Sequence, residues 1–262
     1  MNESAAKKAL KEVKEVLDTN GVEFWLNFGG LLGAVREGKF IDHDDDIEIN
    51  AWSHKVTEEQ MKSVCRTLSK QGFNTYYSTL SEFICIEKYG IPICFSCFKL
   101  LKDIAIRPHE NVHGVGSRLY KARFFYYLSE IFARKWVGKI NFSRTTRIRT
   151  VMLFVLLKIN GFLSIRIKRK MALFFKDISM RFYNDHGIFI IPAEYYLKLQ
   201  EIKFYNDLYK IPNKVKEYLE YLYGQNWEIP MKNWHYYHSD KKSASYVKYD
   251  NDISLFFKCN SE

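Results

Sequence analysis

The chain is 262 residues long, enough for one large domain or two small ones with a real core, and too long for a disulfide knot. Its 47% hydrophobic and 27% charged residues exclude wholesale disorder and collagen-like or mucin-like chains, and the aromatic share of 16% is high. The formal net charge of +10 would point to nucleic acid or an anionic surface, but it is concentrated: residues 134–181 hold thirteen Lys or Arg against the single acid Asp177, so the other 214 residues carry 27 basic against 29 acidic.

From the N-terminus, Ala6, Ala9, Leu10, Val13, Val16 and Leu17 recur at helical spacing, and Asn20-Gly21 closes the helix. A strand is predicted over 22–28, then a compact run from Gly29 to Arg36, a turn around Gly38 and a second strand over 44–51. Thr57-Glu58-Glu59-Gln60 has the capping-box pattern and opens a helix with Met61, Val64, Cys65 and Leu68 on one face, ending at Gly72. Strands are predicted over 83–88, 91–100 and 102–107, the first two joined by a tight turn at Tyr89-Gly90.

The first 118 residues therefore read as a mixed α/β (α+β) catalytic unit and 119–262 as a mainly helical, basic and aromatic region. Helices are predicted over about 120–136, 145–160, 163–183 and 213–223, the last capped by Asn213. The apolar stretch 151–165 is interrupted by Lys158, Asn160 and Gly161, short of the roughly 20 apolar residues of a membrane span. Five cysteines, an odd number, and a charged start without a signal-like apolar run lead us to expect a reduced, cytoplasmic protein.

The acids after Gly38 demand most explanation. Asp42, Asp44, Asp45, Asp46 and Glu48 put five carboxylates into seven residues. In an extended chain Asp44, Asp46 and Glu48 share one face, while Asp45, Ile47 and Ile49 share the other, which turns inward. Like charges about 7 Å apart repel one another, and Asp is a poor strand former. A hard divalent cation, Mg²⁺ or Mn²⁺, would neutralise them; Mg²⁺ commonly uses one or two carboxylates plus substrate phosphates, which suits phosphoryl or nucleotidyl chemistry. A solvated acidic turn or a Ca²⁺ loop is the alternative. The Gly29-Gly30 turn favours the phosphate reading, because glycine backbone can approach phosphate oxygens at a helix start, and Arg36 offers a bidentate partner.

These residues resemble a known family. The run from Phe24-Trp25-Leu26-Asn27-Phe28-Gly29-Gly30-Leu31-Leu32-Gly33-Ala34-Val35-Arg36, with Phe40-Ile41 and Asp44-Asp45-Asp46-Ile47-Glu48-Ile49, is similar to the LicD family, to which the fukutins also belong. Downstream, Tyr218-Leu219-Glu220-Tyr221-Leu222-Tyr223-Gly224-Gln225-Asn226-Trp227 resembles the family's closing motif, so the two matches bracket residues 22–230. Phe28 stands where the family usually has its first glycine, Gly30 where Thr or Ser is usual, and Asp42-His43 replace Pro-Trp.

The resemblance implies a nucleotidyltransferase-like fold. It also implies transfer of a phospho-alcohol (phosphocholine, glycerol phosphate or ribitol phosphate) from a CDP-linked donor to a hydroxyl of a cell-surface glycan such as lipopolysaccharide, capsule or teichoic acid, the acceptor being free or lipid-linked. Carried over position by position, Asp44, Asp46 and Glu48 are the expected metal ligands, and Gly29, Gly30 and Arg36 the expected nucleotide-binding residues. A later family acid falls at Ala105, which leaves Asp103 as the candidate; Asp46, Glu48 and Asp103 are all open as general base.

The other readings are a true nucleotidyltransferase that transfers NMP to a protein, RNA or small molecule, and a non-catalytic module that binds membrane or RNA. The basic run 134–181, with Phe, Leu and Ile interleaved, suits peripheral contact with the inner face of a membrane. It lacks a recognisable RNA-binding motif, so nucleic acid ranks last. Cys94-x-x-Cys97 lacks a second metal-ligand pair and, in a strand, points to opposite faces. His235 and His238, among Trp234, Tyr236 and Tyr237, would suit an acceptor or choline-like site.

Overall fold

The computed structural model describes residues 1–78, 83–110, 117–137, 162–182, 186–231 and 246–248. The helix predicted over 145–160 and the aromatic-histidine cluster 234–238 lie outside them. Among the described residues, nine strands form one mixed sheet and two more form a separate hairpin, with helices packed around them.

The first helix, α1 (Glu3–Thr19), has Asn2 as N-cap, its side chain accepting from the Ala5 N–H at 3.1 Å, and buries the six apolar residues expected from their spacing. Strand β1 is only Trp25–Leu26, shorter than predicted, because Asn27 turns the chain straight into α2 (Phe28–Arg36). Strand β2 spans Ile47–Trp52, so Asp44, Asp45 and Asp46 precede it rather than belong to it. Charge repulsion and poor strand propensity keep them out of the ladder.

Helix α3 (Glu58–Lys70) forms the expected capping box: the Gln60 N–H donates to Thr57 Oγ1 at 3.2 Å and the Thr57 N–H to Gln60 Oε1 at 2.9 Å. Strands β3 (Asn74–Ser78), β4 (Phe83–Lys88), β5 (Ile91–Leu101) and β6 (Ile104–Glu110) follow. The β4–β5 turn lies at Tyr89-Gly90 as read from the sequence, both residues left-handed. Lys102 and Asp103 form the β5–β6 turn instead of starting a strand.

Beyond residue 116 come α4 (Ser117–Ala133), which gives way to β7 (Arg134–Val137) where more helix was expected, then α5 (Ile165–Phe182), β8 (His186–Pro192) and α6 (Glu194–Leu197). Hairpin strands β9 (Gln200–Phe204) and β10 (Asp207–Ile211), helix α7 (Val215–Tyr223) and strand β11 (Tyr246–Lys248) complete the described elements. The N-cap of α7 is Lys214 in the left-handed region, not Asn213. The region read as mainly helical thus also supplies strands, three of which (β7, β8 and β11) belong to the main sheet.

The sheet runs β11-β8-β6-β5-β4-β3-β7, with β2 pairing parallel to β5 and β1 antiparallel to β2. The β2–β5 register sets Glu48 opposite Cys94 and Asn50 opposite Ser96. Strand β5, apolar and buried through most of its length, is the central element against which β2, β4 and β6 align.

One buried cluster runs from Ala6 on α1 to Leu222 on α7. Its densest part is aromatic: the Trp25 ring lies 4.9 Å from Tyr196, 5.8 Å from Trp52 and 6.4 Å from Phe98. Such pairs are worth about 1 kcal/mol each beyond their burial. Helices α4 and α5 pack on each other around smaller clusters at Ala122 and at Phe132 with Ala172.

Asn27 is the polar hub inside this core. Its Nδ2 donates to Asn50 Oδ1 at 2.8 Å and to the Tyr196 hydroxyl at 3.2 Å, its Oδ1 accepts from the Phe28 N–H and the Tyr218 hydroxyl, and it is fully buried. Replacement by Ala would strand several buried polar groups, each costing about 1–3 kcal/mol. We expect Asn27→Ala to lose about 3 kcal/mol or more in urea denaturation, against about 1 kcal/mol for removing the α3 cap with Thr57→Ala.

Candidate active site

Helix α2 and strand β2 present their functional groups to one another. The chain turns at residues 41–44, closed by the Asp44 N–H donating to the Ile41 carbonyl at 3.1 Å, and this brings Asp44 back against the start of α2. A Cβ at Gly29 would overlap the Asp44 carboxylate, whereas one at Gly30 would meet only the Ile47 side chain and Glu48 backbone at 3.7–4.0 Å. Gly29 is therefore needed for the acid to lie where it does, and Gly30 is not constrained in that way. The N–H groups of Gly29 and Gly30 belong to the first turn of α2, where no intrahelical acceptor exists.

Phe28 opens α2 at φ 45°, in the left-handed region that favours glycine. This is the position where the sequence departs from Gly, and the fold gives the reason Gly would be at ease there. Phe28 is held nonetheless by packing on Phe189, 4.8 Å between ring centres, and on the Arg107 guanidinium at 5.0 Å.

Asp44, Asp46 and Glu48 act on one another as anticipated from their alternation. Burial raises the Asp44 carboxyl to about 6, with the neighbouring Asp46 adding to the effect. Asp46 is raised by burial too, against the opposing hydrogen bond from Cys94 Sγ at 3.4 Å and the charge of Arg107. Glu48 is raised to about 8 by burial first, with Asp46 and Asp44 adding and Arg107 opposing.

Arg107 is the residue that the sequence did not single out. It lies on β6 with 6% exposure, donates from Nη1 to Ser96 Oγ at 2.6 Å, and reaches Glu48 Oε1 from Nη2 at 3.5 Å. Its guanidinium is stacked among Phe28, Phe98 and Phe189 at 5.0–5.8 Å, and its Nε is buried without a hydrogen-bond partner among the described residues. A cation between Ile104, Ala105 and Ile106 and the rest of the strand was the available signal. Through Ser96 and Asn50, whose Nδ2 donates to Ser96 Oγ at 2.7 Å, Arg107 joins the Asn27 hub.

Two expected residues lie elsewhere. Asp103 is exposed in the β5–β6 turn, and its carbonyl accepts from the Ala193 N–H at 2.8 Å. From Cys94, beside Asp46, to the end of β5 at Leu101 is about 23 Å of strand. Asp103 is therefore not part of the acid cluster, because the turn it belongs to ends the strand on which it was expected. Arg36 stands at the C-terminal end of α2, about 10 Å along the axis from Gly29, paired with Glu37 at 2.5 Å and directed at the Trp227 carbonyl at 3.4 Å. Helix formation separates it from the glycine turn that it neighbours in sequence. Cys94 and Cys97 lie on opposite faces of β5, and none of the described cysteines, Cys65, Cys85, Cys94 and Cys97, is in a disulfide.

Among the described residues no three His, Cys, Asp or Glu side chains converge into a complete metal cage. The residues present do fit a cation of the Mg²⁺ type, which commonly takes one or two carboxylates and completes its shell with water and phosphate. Asp44 and Asp46 are neighbouring acids that burial raises, the Cys94 thiol and the Arg107 charge offsetting Asp46 only in part, and Glu48 is the acid that Arg107 engages.

Residues 21–92 match the family model described as LicD/FKTN/FKRP, nucleotidyltransferase domain, which supports membership of the LicD family and a nucleotidyltransferase-like fold for this mixed α/β chain. No curated protein matches the chain significantly. Among solved structures, it is similar at a low level to ANT(2")-Ia in complex with adenylyl-2"-tobramycin: 11% identity, TM-score 0.28, covering 64% of this chain and 95% of that one. A solution structure of the antibiotic-resistance factor ANT(2'')-Ia gives 11% identity, TM-score 0.30, and coverage of 67% and 91%. Scores this low carry no argument about the site.

Because the Asp44 carboxyl titrates higher in the folded chain than its ordinary 3.8, folding favours the protonated acid, and that stabilisation is lost as pH rises from about 4 through about 6. We expect Asp44→Asn to melt progressively higher than the wild type as pH is raised from 4 to 7, and Mg²⁺ at neutral pH to narrow the gap. In the same measurements Gly29→Ala should be destabilised while Gly30→Ala changes little, because only the first displaces a carboxylate.

Proposed function

We propose that this chain is a divalent-metal-dependent transferase of the LicD type, which moves a phospho-alcohol from a CDP-linked donor to a hydroxyl of a glycan. The observation that carries this reading is the placing of the Asp44 carboxylate against Gly29 at the start of α2, inside the segment matched by the nucleotidyltransferase domain.

In this reading Asp44 and Asp46 hold the metal, Mg²⁺ or Mn²⁺. When bound, it offsets the negative charge of the donor pyrophosphate. The Gly29 and Gly30 N–H groups, free of intrahelical acceptors, donate to phosphate oxygens and fix the donor in line with the incoming hydroxyl. Glu48 is oriented by Arg107, and its basicity, raised by burial, suits it to take the hydroxyl proton as the new phosphate ester bond forms and CMP departs. Assigning Glu48 to the proton rather than to the metal follows from its engagement with Arg107. Arg36, held at the far end of α2, is left with a part in anchoring the helix to the 227 region.

Calorimetric titration with CDP-choline, CDP-glycerol and CDP-ribitol, with and without Mg²⁺, tests the donor. We expect one donor to bind in a metal-dependent way and binding to fall at least about tenfold in Asp44→Ala with Asp46→Ala, with CMP released when a glycan acceptor is supplied. Binding of none of the three, or nucleotide found attached to the acceptor, would overturn the proposal. Glu48→Gln should keep donor binding within about threefold while turnover drops by about 10²-fold or more, the signature of a base rather than a binding group.

A further inference from the structure

The outward face of α5 has a composition that packing among the described residues does not explain. Helix α5 runs antiparallel to α4: Ser179 Oγ donates to the Ala122 carbonyl at 2.7 Å near one end of the pair, and the Phe132 and Phe175 rings stack at 5.6 Å toward the other. Ala172, Lys176 and Ser179 are buried on the side toward the protein. Helical spacing puts Arg166, Ile167, Lys170, Phe174, Asp177 and Arg181 on the opposite side, and all six are exposed.

On that exposed side apolar and cationic residues stand side by side. Ile167 is 46% and Phe174 59% exposed, and Phe162, just before the helix, is 92% exposed. The single acid, Asp177, is paired with Arg181 at 2.6 Å and so does little to lower the positive field toward the N-terminal half, where Arg166 and Lys170 stand. From Ile167 to Phe174 the apolar residues span about 10 Å along the helix axis. Among the described residues no helix is long and apolar enough to cross a membrane.

We propose that this face of α5 docks on an anionic phospholipid bilayer, with the helix lying in the plane of the surface. Phe162, Ile167 and Phe174 enter the boundary between headgroups and acyl chains, and Arg166 and Lys170 meet lipid phosphates. Two features favour lipid over nucleic acid. Ile167 has no π-face on which a base could stack, and on the helix the apolar side chains stand directly beside the cations, as an interface between water and hydrocarbon requires. The docking surface uses none of the residues assigned to transfer chemistry, so it stands or falls independently of that reading.

Co-sedimentation of the full chain with phosphatidylcholine vesicles containing about 30% phosphatidylglycerol, beside pure phosphatidylcholine vesicles, tests this at low and high salt. We expect at least about tenfold stronger partitioning to the anionic vesicles, weakened by salt. The loss should be at least about tenfold for Ile167→Ser with Phe174→Ser and, separately, for Arg166→Glu with Lys170→Glu, with unchanged melting temperatures confirming that the variants fold. Equal partitioning to both vesicle types, or variants that bind like the wild type, would overturn the proposal. So would absence of vesicle binding together with RNA retention that depends on Arg166 and Lys170 but not on Ile167 and Phe174. Donor calorimetry on the same variants should be unaltered, which separates failure of docking from failure of the transferase reading.

Discussion

A buried polar chain holds this molecule together and leads into its candidate site. It begins at Tyr218 on α7, whose hydroxyl is bonded to the Tyr196 hydroxyl and donates to Asn27 Oδ1, and passes through Asn50 on β2 and Ser96 on β5 to Arg107 on β6 and Glu48. Each member is buried or nearly so, and an unpaired polar group in that environment is costly. The positions of five elements are consequently interdependent: moving α7 or β6 would leave a donor or acceptor stranded in the core. This gives a physical reason for the coexistence of a glycine-rich run near residue 29 and a tyrosine motif near residue 220. The second motif closes the hydrogen-bond network of the first.

The acids of the 42–48 run are divided by their surroundings into distinct chemical roles. Asp44 is pressed on a helix start from which a side chain has been deleted, Asp46 receives the Cys94 thiol, and Glu48 faces a guanidinium. Arg107 reaches Glu48 at 3.5 Å and its charge also acts on Asp46, while burial still raises both Asp44 and Asp46. Phe28 shows the same economy of contacts from the other side. Its left-handed backbone is unfavourable for a residue with a side chain, yet that side chain packs on Arg107 and Phe189 and so helps to hold the cation over the acids.

Charge is segregated along the chain, and the structure gives the segregation a form. The α/β part carries near-balanced charge with its acids gathered at β2, while the cations of α5 cover an exposed helix face. Catalysis of phosphate transfer needs carboxylates in a confined, partly desolvated place, whereas attraction to an anionic surface needs cations that remain in water. In the proposed readings the two demands fall on different elements, so that each could be met without cancelling the other.

What the sequence by itself determined is what depends on neighbours within about four residues: the buried stripe of α1, the Thr57–Gln60 box and the Tyr89-Gly90 turn. The glycine and acid runs, read together, also pointed to two segments that the fold brings into contact at Gly29 and Asp44. The tertiary structure decided the rest, because it depends on strand register and on which elements meet. Arg107 reaches Glu48 across 59 positions only because β6 and β2 both align on β5, and Tyr218 reaches Asn27 across 191. Asp103 leaves the site because a turn forms under it, and Arg36 because a helix carries it about 10 Å from Gly29. Local spacing prescribes which face a residue occupies, but the partner on that face is chosen by packing between segments far apart in the chain.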